Sequence, residues 1–526
     1  MSSRRQYILN ILWSWMGAAA LILNGMLVSP YLIRHLGVDT YGIWALGLAL
    51  VEYFWMIDLG VRPATVKLTA EYRALEKWDM LNSLLSTAAG YSAIMGSLVL
   101  LLISLNTGSI ARFFHITHPS FPLLIQVVSF SWAFGLVFNV FAAAIEGFQR
   151  FDITNRIFIS FTLVRSLTLI ALVRLGHGLG SMSLGLLLTQ FLMYAAFFVS
   201  LRRLYSGLKL SPRLMTKAAG REIWLYARQV VSGMLSARLL QSAIPSLIAR
   251  FLPVRNVTYY TVTQKVLEYA GEGIGRIGLI TAPRAMDWMA RGHREEVLSL
   301  AEYGNKYCLA LWLFFGSFLL VYGRPLFRVW ISPEFADNAG VLLTIMLFGQ
   351  TLWLGQFTSG AILMGIGRYG EYSGSLMVEA IVTVLGFGLV LPRLGLPAAV
   401  AISSTMIFLN RCVNLSRIFA KEFKINQMAF LWRIYRMPMA LAFLDVAGLW
   451  AIKRSLLPGR NWRELIAVGM AHAVMYCTAG FWLVLERDHR ALILEKLQER
   501  WRDFGYGSKR MKVARGVQGS DGTPKL

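Results

Sequence analysis

Charge is scarce along this chain: Asp, Glu, Lys and Arg make up 15% of its 526 residues, where soluble domains carry about a quarter. So few charged side chains cannot cover a soluble surface, and the 56% of hydrophobic residues exceeds what a soluble core absorbs. Cysteine is rarer still. Cys308, Cys412 and Cys477 all fall in apolar stretches with no paired spacing, which excludes a disulfide framework and a cysteine metal site. Long polar stretches are missing as well, so no segment between Tyr7 and Leu485 can house a separate soluble enzyme domain. No phosphate-loop sequence, zinc-binding helix motif or nucleophile elbow occurs, which argues against ATP hydrolysis within the chain. His115, His118, His177 and His472 are scattered and assemble no catalytic cluster by spacing.

What is present is apolar sequence, with a mean hydropathy of +0.54. A membrane span needs about 20 mostly apolar residues, and fourteen such segments follow one another: about 7–33, 40–61, 81–105, 120–146, 153–174, 180–201, 224–250, 256–282, 303–322, 338–363, 372–391, 396–416, 437–457 and 464–485. The first is too long for a signal-peptide core and reads as a retained helix. The expected fold class is therefore an all-α polytopic membrane protein of about fourteen transmembrane helices.

Most of the 52 Lys and Arg lie in loops on the side of the N-terminus. By the positive-inside bias this places both termini in the cytoplasm. The basic residues are dispersed over many loops rather than gathered in one patch with interleaved aromatics, so the net charge of +24 implies membrane topology and no nucleic-acid partner. Segments 64–80 and 284–300 mix charge with apolar residues at helical spacing and read as interfacial amphipathic helices. Beyond Glu486 an amphipathic stretch with Leu494, Leu497, Trp501 and Phe504 on one face leads into a Gly/Ser/Lys-rich end, 505–526, that reads as disordered.

A shift of 216 residues superposes Gly17 on Gly233, Arg34 on Arg250, Val38 on Val254, Glu52-Tyr53 on Glu268-Tyr269 and Ser83 on Ser299. With a one-residue gap, Pro30-x-Leu32-Ile33 meets Pro245-x-Leu247-Ile248. Such a repeat carries the first span onto the seventh, which relates two like-oriented six-helix lobes by an axis along the membrane normal. The expected organisation is an N-terminal lobe at 1–201, a cytoplasmic linker at 202–223, a C-terminal lobe at 224–416, a loop with helices 13 and 14 at 417–485, and a tail at 486–526.

Ionisable residues inside spans are costly and usually face a cavity or one another. The eighth span holds Lys265, Glu268, Glu272 and Arg276, which at 100° per residue share one narrow face. They read as a polar cavity lining, or alternatively as a self-neutralising ladder that holds the helix to a neighbour. Gly271, Gly273, Gly275 and Gly278 thin this helix and favour close approach. Arg165, Arg228, Arg238, Glu52 and Asp58 are further candidates, and the Arg fork suits bidentate phosphate recognition. Arg34 and Arg62 sit at opposite ends of the first helical pair, where each could simply anchor a helix end. Two literal GxGxxG matches, Gly273–Gly278 and Gly365–Gly370, lack the strand–turn–helix setting that gives the fingerprint meaning.

The run SPYLIRHLGVDTYGIWAL with Asp58-Leu59-Gly60 and the charged segment at 67–79 resembles the start of polysaccharide transporter (Wzx-type) flippases of the MATE/MOP superfamily. The shared pattern is Pro30 before an Arg34-x-Leu36-Gly37 turn, then Tyr41-Gly42 opening the second helix. The resemblance implies a MATE-like V-shaped pair of lobes plus two C-terminal helices. Such a protein would move undecaprenyl-diphosphate-linked oligosaccharide (O-antigen, capsule or exopolysaccharide units) across the bacterial inner membrane by alternating access. It further implies substrate binding by Arg34, Arg165, Arg238, Lys265 and Arg276, with Glu52, Glu268 and Glu272 as coupling or balancing groups. No cofactor or metal is expected. H+ or Na+ is compatible as a coupling ion, and membrane lipids and the glycan polymerase and chain-length machinery as partners.

Two other function classes fit less well. A cation-coupled multidrug exporter calls for a net acidic, aromatic cavity, whereas the spans here carry more Arg and Lys. A membrane glycan polymerase or ligase resembles its relatives in having a large extracytoplasmic loop with basic catalytic residues, and the outer loops here are short, the longest about 323–337 and 106–119. The chain is accordingly not expected to be an enzyme.

Overall fold

A computed structural model describes residues 3–53, 58, 60–368 and 370–496, the side chains of 3–15, 18, 228–234, 237, 272, 273 and 275–280 excepted. No strand occurs among the described residues. The first lobe consists of α1 (Ser3–Leu36), α2 (Val38–Glu52), α3 (Val61–Ala74), α4 (Trp78–Phe113), α5 (Phe121–Gly147), α6 (Phe151–Arg174) and α7 (Leu179–Leu204). The second contains α8 (Lys217–Phe251), α9 (Arg255–Ala290), α10 (Arg294–Trp330), α11 (Pro333–Leu354), α12 (Phe357–Gly365), α13 (Gly370–Ile407) and α14 (Leu415–Phe423). Two appended helices, α15 (Gln427–Ser455) and α16 (Trp462–Leu483), pack on α10 and on each other. Helix starts carry their own signals: Thr216, Ser332, Asn426 and Asn461 accept from the amides of Ala219, Phe335, Ala429 and Glu464, and Pro333 occupies the first turn of α11.

Thirteen of the predicted spans fall on helix and the second, 40–61, does so as far as Glu52, yet among the described residues only ten helices are both long and apolar enough to cross a membrane by composition alone. The difference has a physical origin. α2 is only 15 residues long, and α8 and α9 carry more charge than a lipid-facing span tolerates. A fourth span is hidden in α13, which is two helices joined at Gly395, whose φ of 78° breaks the helical run. The charge-bearing helices α2, α8 and α9 lie where the two lobes meet.

Several boundaries differ from the sequence expectation. The segment 64–80 contains α3 followed by a turn and the start of α4, whereas 284–300 forms no separate interfacial helix: α9 runs on to Ala290 and α10 begins at Arg294, so both project beyond the apolar region. The expected linker 202–223 shortens to 205–216 with a 3-10 turn at Pro212–Leu214, and the expected loop 417–436 is almost wholly helical. Residues 487–496 are helical; Leu497, Trp501, Phe504 and the rest of the tail lie outside the described residues.

The internal repeat is written into the backbone. α4 and α10 begin 216 residues apart, and their preceding residues share a conformation (Lys77 φ −83°, ψ 66°; His293 φ −82°, ψ 66°). Positive-φ residues recur in pairs at the same turns: Glu76 with Gly292, Gln149 with Gly367, and Gly176 with Gly395. Pro30 and Pro245 both lie inside the helices that open their lobes.

One face of the bundle holds α3, the 205–216 connection and the starts of α1, α10 and α15; it is called the basic face. On the opposite, far face the lobes are tied together. Arg34 Nε donates to the Ile331 carbonyl (3.1 Å), and its guanidinium also meets the Val329 carbonyl. Trp330 Nε1 donates to Met26 O (2.8 Å), Thr258 Oγ1 to Val38 O (2.7 Å), and Arg255 lies 3.3 Å from Asp39 and 3.9 Å from Glu334. Arg250 Nη1 and His115 Nε2 are 2.7 Å apart. Gly42 brings the two backbones close: a Cβ there would stand 2.4 Å from the Val254 carbonyl oxygen. In lipid the hydrophobic effect does not hold helices together, so small residues and interhelical hydrogen bonds carry this contact.

Candidate substrate cavity between the lobes

α2 presents Tyr41, Trp44, Ala45, Leu48 and Glu52 along one helical face. That face, with α5, α6 and α7 on one side and α8 and α9 on the other, encloses about 650 Å³, within the range of pockets that take a drug-sized ligand. Trp132, Tyr194 and Phe158 add aromatic surface, and Ser131, Gln190, Gln241, Thr261 and Gln264 add hydrogen-bonding groups. Lys265 is ten residues into α9, about 15 Å along the helix, and thus near mid-depth of a hydrocarbon core about 30 Å thick.

Five charged side chains face this space: Arg165, Arg238, Lys265, Glu52 and Glu268. Arg238 of α8 forms an ion pair with Glu52 of α2, which bridges the lobes with both side chains more than a third exposed. Glu268 accepts from Gln264 Nε2 at 2.9 Å. Neither Arg165 nor Lys265 makes an ion pair or side-chain hydrogen bond to another described residue. The described lining therefore carries one positive charge in excess, with two cations held ready for an anion.

The structure thus brings Arg165, Arg238, Lys265, Glu52 and Glu268 together. It places Arg34 elsewhere: at the end of α1, which contributes no described residue to the cavity lining, its guanidinium caps carbonyls at the far end of α10. Glu272, Arg276 and Arg228 have side chains outside the described residues. Asp58 lies past the end of α2 and is buried, accepting from the Arg62 amide (3.5 Å), while Arg62 pairs with Glu146 (2.7 Å) and so binds α3 to α5.

Two buried pairs escaped the sequence reading. Glu379 of α13 accepts from Asn410 and from Arg411, whose guanidinium lies 2.8 Å away within the π-helical stretch Phe408–Asn414. Asp445 of α15 faces His472 Nδ1 of α16 at 3.2 Å, and His472 Nε2 lies 2.8 Å from the Phe314 carbonyl of α10. In both cases the signal was available as complementary ionisable residues in neighbouring apolar spans.

The sequence profile of the family described as "Polysaccharide biosynthesis protein" matches residues 9–277, just over half of the chain and every described element that lines the cavity. The chain belongs to this polysaccharide biosynthesis family. A putative O-antigen transporter of Shigella flexneri is 22% identical over 151 residues, which is 28% of this chain and 36% of that one; the chain thus spans little over a third of that relative's length in alignment. Among solved structures, the lipid II flippase MurJ in an inward closed conformation superposes with a TM-score of 0.67 at 12% identity, covering 90% of this chain and 99% of MurJ. A multidrug resistance MATE family transporter of the MOP superfamily, inward-facing, gives 0.64 at 13% identity over 85% of this chain and 99% of its own. These likenesses show that the chain shares the MOP-type helical fold.

Proposed function

We propose that this polysaccharide biosynthesis protein is a flippase that carries a diphosphate-linked oligosaccharide on a polyprenyl lipid across a bacterial inner membrane. The observation that carries the reading is the pair of cations, Arg165 and Lys265, facing a mid-membrane cavity without a partner among the described residues, beside Arg238, which pairs with Glu52 with both side chains more than a third exposed. Placing uncompensated cations at mid-depth costs free energy, and an anionic substrate would offset that cost on binding. The Lys/Arg bias makes the basic face cytoplasmic. With the far face tied shut, the cavity then takes its cargo from the inner leaflet and releases it outward by alternating access. Glu52 and Glu268 are the described carboxylates placed to bind H+ or Na+ as a coupling ion. The chain needs no catalytic group for this task, and a glycan polymerase and its chain-length machinery would consume the product.

The aromatic walls, with Trp44, Trp132 and Tyr41, also suit an organic cation, which keeps multidrug export as the rival reading. Proteoliposomes separate the two. The account expects the purified protein to move an undecaprenyl-diphosphate oligosaccharide to the leaflet where an added glycosidase or lectin reaches it. Export of organic cations with no movement of the glycolipid would refute it.

A further inference from the structure

The repeat allows the two basic-face corners of the lobes to be compared position by position. In the first lobe Trp78, opening α4, stacks on Tyr205 just beyond α7 (ring centroids 5.3 Å apart), and Phe148 adds a third ring at 5.9 Å. Arg150, which follows the positive-φ Gln149, is held by both oxygens of Asp152 at 2.9 and 3.0 Å. At that corner the three rings pack together and Arg150 is matched by its own carboxylate.

In the second lobe the aromatic plug is gone. Arg294 stands where Trp78 does, its guanidinium 5.1 Å over the ring of Phe423, the counterpart of Tyr205, and bonded to the Glu422 carbonyl. Arg368, following the positive-φ Gly367, matches Arg150, but the counterpart of Asp152 is Gly370. Its remaining carboxylate contact, Glu422, is 3.6 Å away, and the Arg368 side chain is 68% exposed. The corner opens into a space of about 590 Å³ walled by Arg294, Arg368, Lys421 and Lys424 with Glu371 and Glu422. The Lys421 and Lys424 side chains make no ion pair among the described residues. On the adjoining first turns of α15, Met428 and Trp432 are 74% and 67% exposed, as side chains that meet the bilayer interface would be.

We propose that this corner of the second lobe is a binding site for a phosphate group of the kind carried by an anionic phospholipid headgroup, distinct from the central cavity. Its chemistry is that of preset guanidiniums and free ammoniums on a phosphodiester. The claim does not rest on what the central cavity transports.

Native mass spectrometry of the full chain released from nanodiscs with equal phosphatidylglycerol and phosphatidylcholine tests it. The wild type should retain phosphatidylglycerol at least tenfold over phosphatidylcholine, and the variant Arg368→Gln/Lys421→Gln/Lys424→Gln should lose that preference. Gly370→Asp, which restores the first-lobe carboxylate at a position with open space around it, should weaken it with the fold intact. Adding inorganic phosphate distinguishes the sources: no displacement identifies the headgroup as ligand, and displacement of phosphatidylglycerol identifies the site as one for free phosphate. Equal retention of both lipids by the wild type, or an unchanged preference in both variants, would overturn the proposal.

Discussion

Gly42→Ala is the sharpest test of how the lobes are held at the far face. The added Cβ would lie 2.4 Å from the Val254 carbonyl oxygen and 3.0 Å from Thr258 Oγ1. To reach an ordinary carbon–oxygen contact of about 3.3 Å, the starts of α2 and α9 must part by about 1 Å. The obstacle is backbone, so no rotamer change relieves it. Overpacking of this kind costs about 1–3 kcal/mol, and here the cost falls only on the arrangement in which the far face is shut. The shut state should therefore lose population by a factor of about 5 to 150 relative to a state open at that face. Spin labels at the exposed positions Thr117 and Asn338, one on each lobe at the far face, would report this by double electron–electron resonance as a new, longer distance. Gly365→Ala provides the control, because its Cβ would meet the Ala282 carbonyl at 2.6 Å within a single lobe. It should lower stability without lengthening the inter-lobe distance. An unchanged distance distribution in a folded Gly42→Ala protein would refute the reasoning.

The Asp445–His472 pair should fasten α15 and α16 to α10: removing one member by Asp445→Ala is expected to cost about 3–5 kcal/mol, while Asp445→Leu/His472→Leu should recover much of it. Thermal unfolding in detergent and limited proteolysis of the α15–α16 connection would check this; neutral single variants would contradict it. At the basic face, Tyr72 of α3 donates to Glu222 of α8, and burial, followed by that carboxylate, pushes the phenol above its ordinary value. A raised phenol means that the contact is fully present below about pH 10 and is lost only as pH rises beyond that. Tyrosinate absorbance of the wild type minus Tyr72→Phe should thus appear later than that of exposed tyrosines. An early appearance would show that the contact does not form.

Much of the fold was legible because lipid imposes a simple rule: apolar runs of span length must be helices. The repeat was legible in a few matched pairs such as Gly17 with Gly233 and Arg34 with Arg250, whereas the recurring positive-φ turns at Gly176, Gly367 and Gly395 are seen only in the backbone. What failed were boundaries, where helices run on into water. The ends of α9 and α10 contain enough charge to look interfacial, yet their hydrogen-bond ladders continue, and nothing in side-chain periodicity separates a helix in the interface from one that passes through it. Counting charges in spans singled out Arg165, Arg238, Lys265, Glu52 and Glu268, which the structure places around one space, where such residues can be tolerated. Arg34 lies outside that cavity, bonded to the carbonyls of a helix some 300 positions away in sequence. Glu379–Arg411 and Asp445–His472 lie only 32 and 27 residues apart and went unread because each residue is explicable only by its partner in the neighbouring helix.

The central claim is that the cavity recognises an anionic, diphosphate-bearing lipid through cations left uncompensated at mid-membrane. It is tested most directly by measuring binding of an undecaprenyl-diphosphate oligosaccharide to the purified protein in nanodiscs, wild type against Arg165→Gln/Lys265→Gln. Two charge-assisted contacts at about 1.5–3 kcal/mol each predict an affinity loss of at least a hundredfold, with expression and thermal stability preserved. Equal affinity in the two proteins would contradict the account.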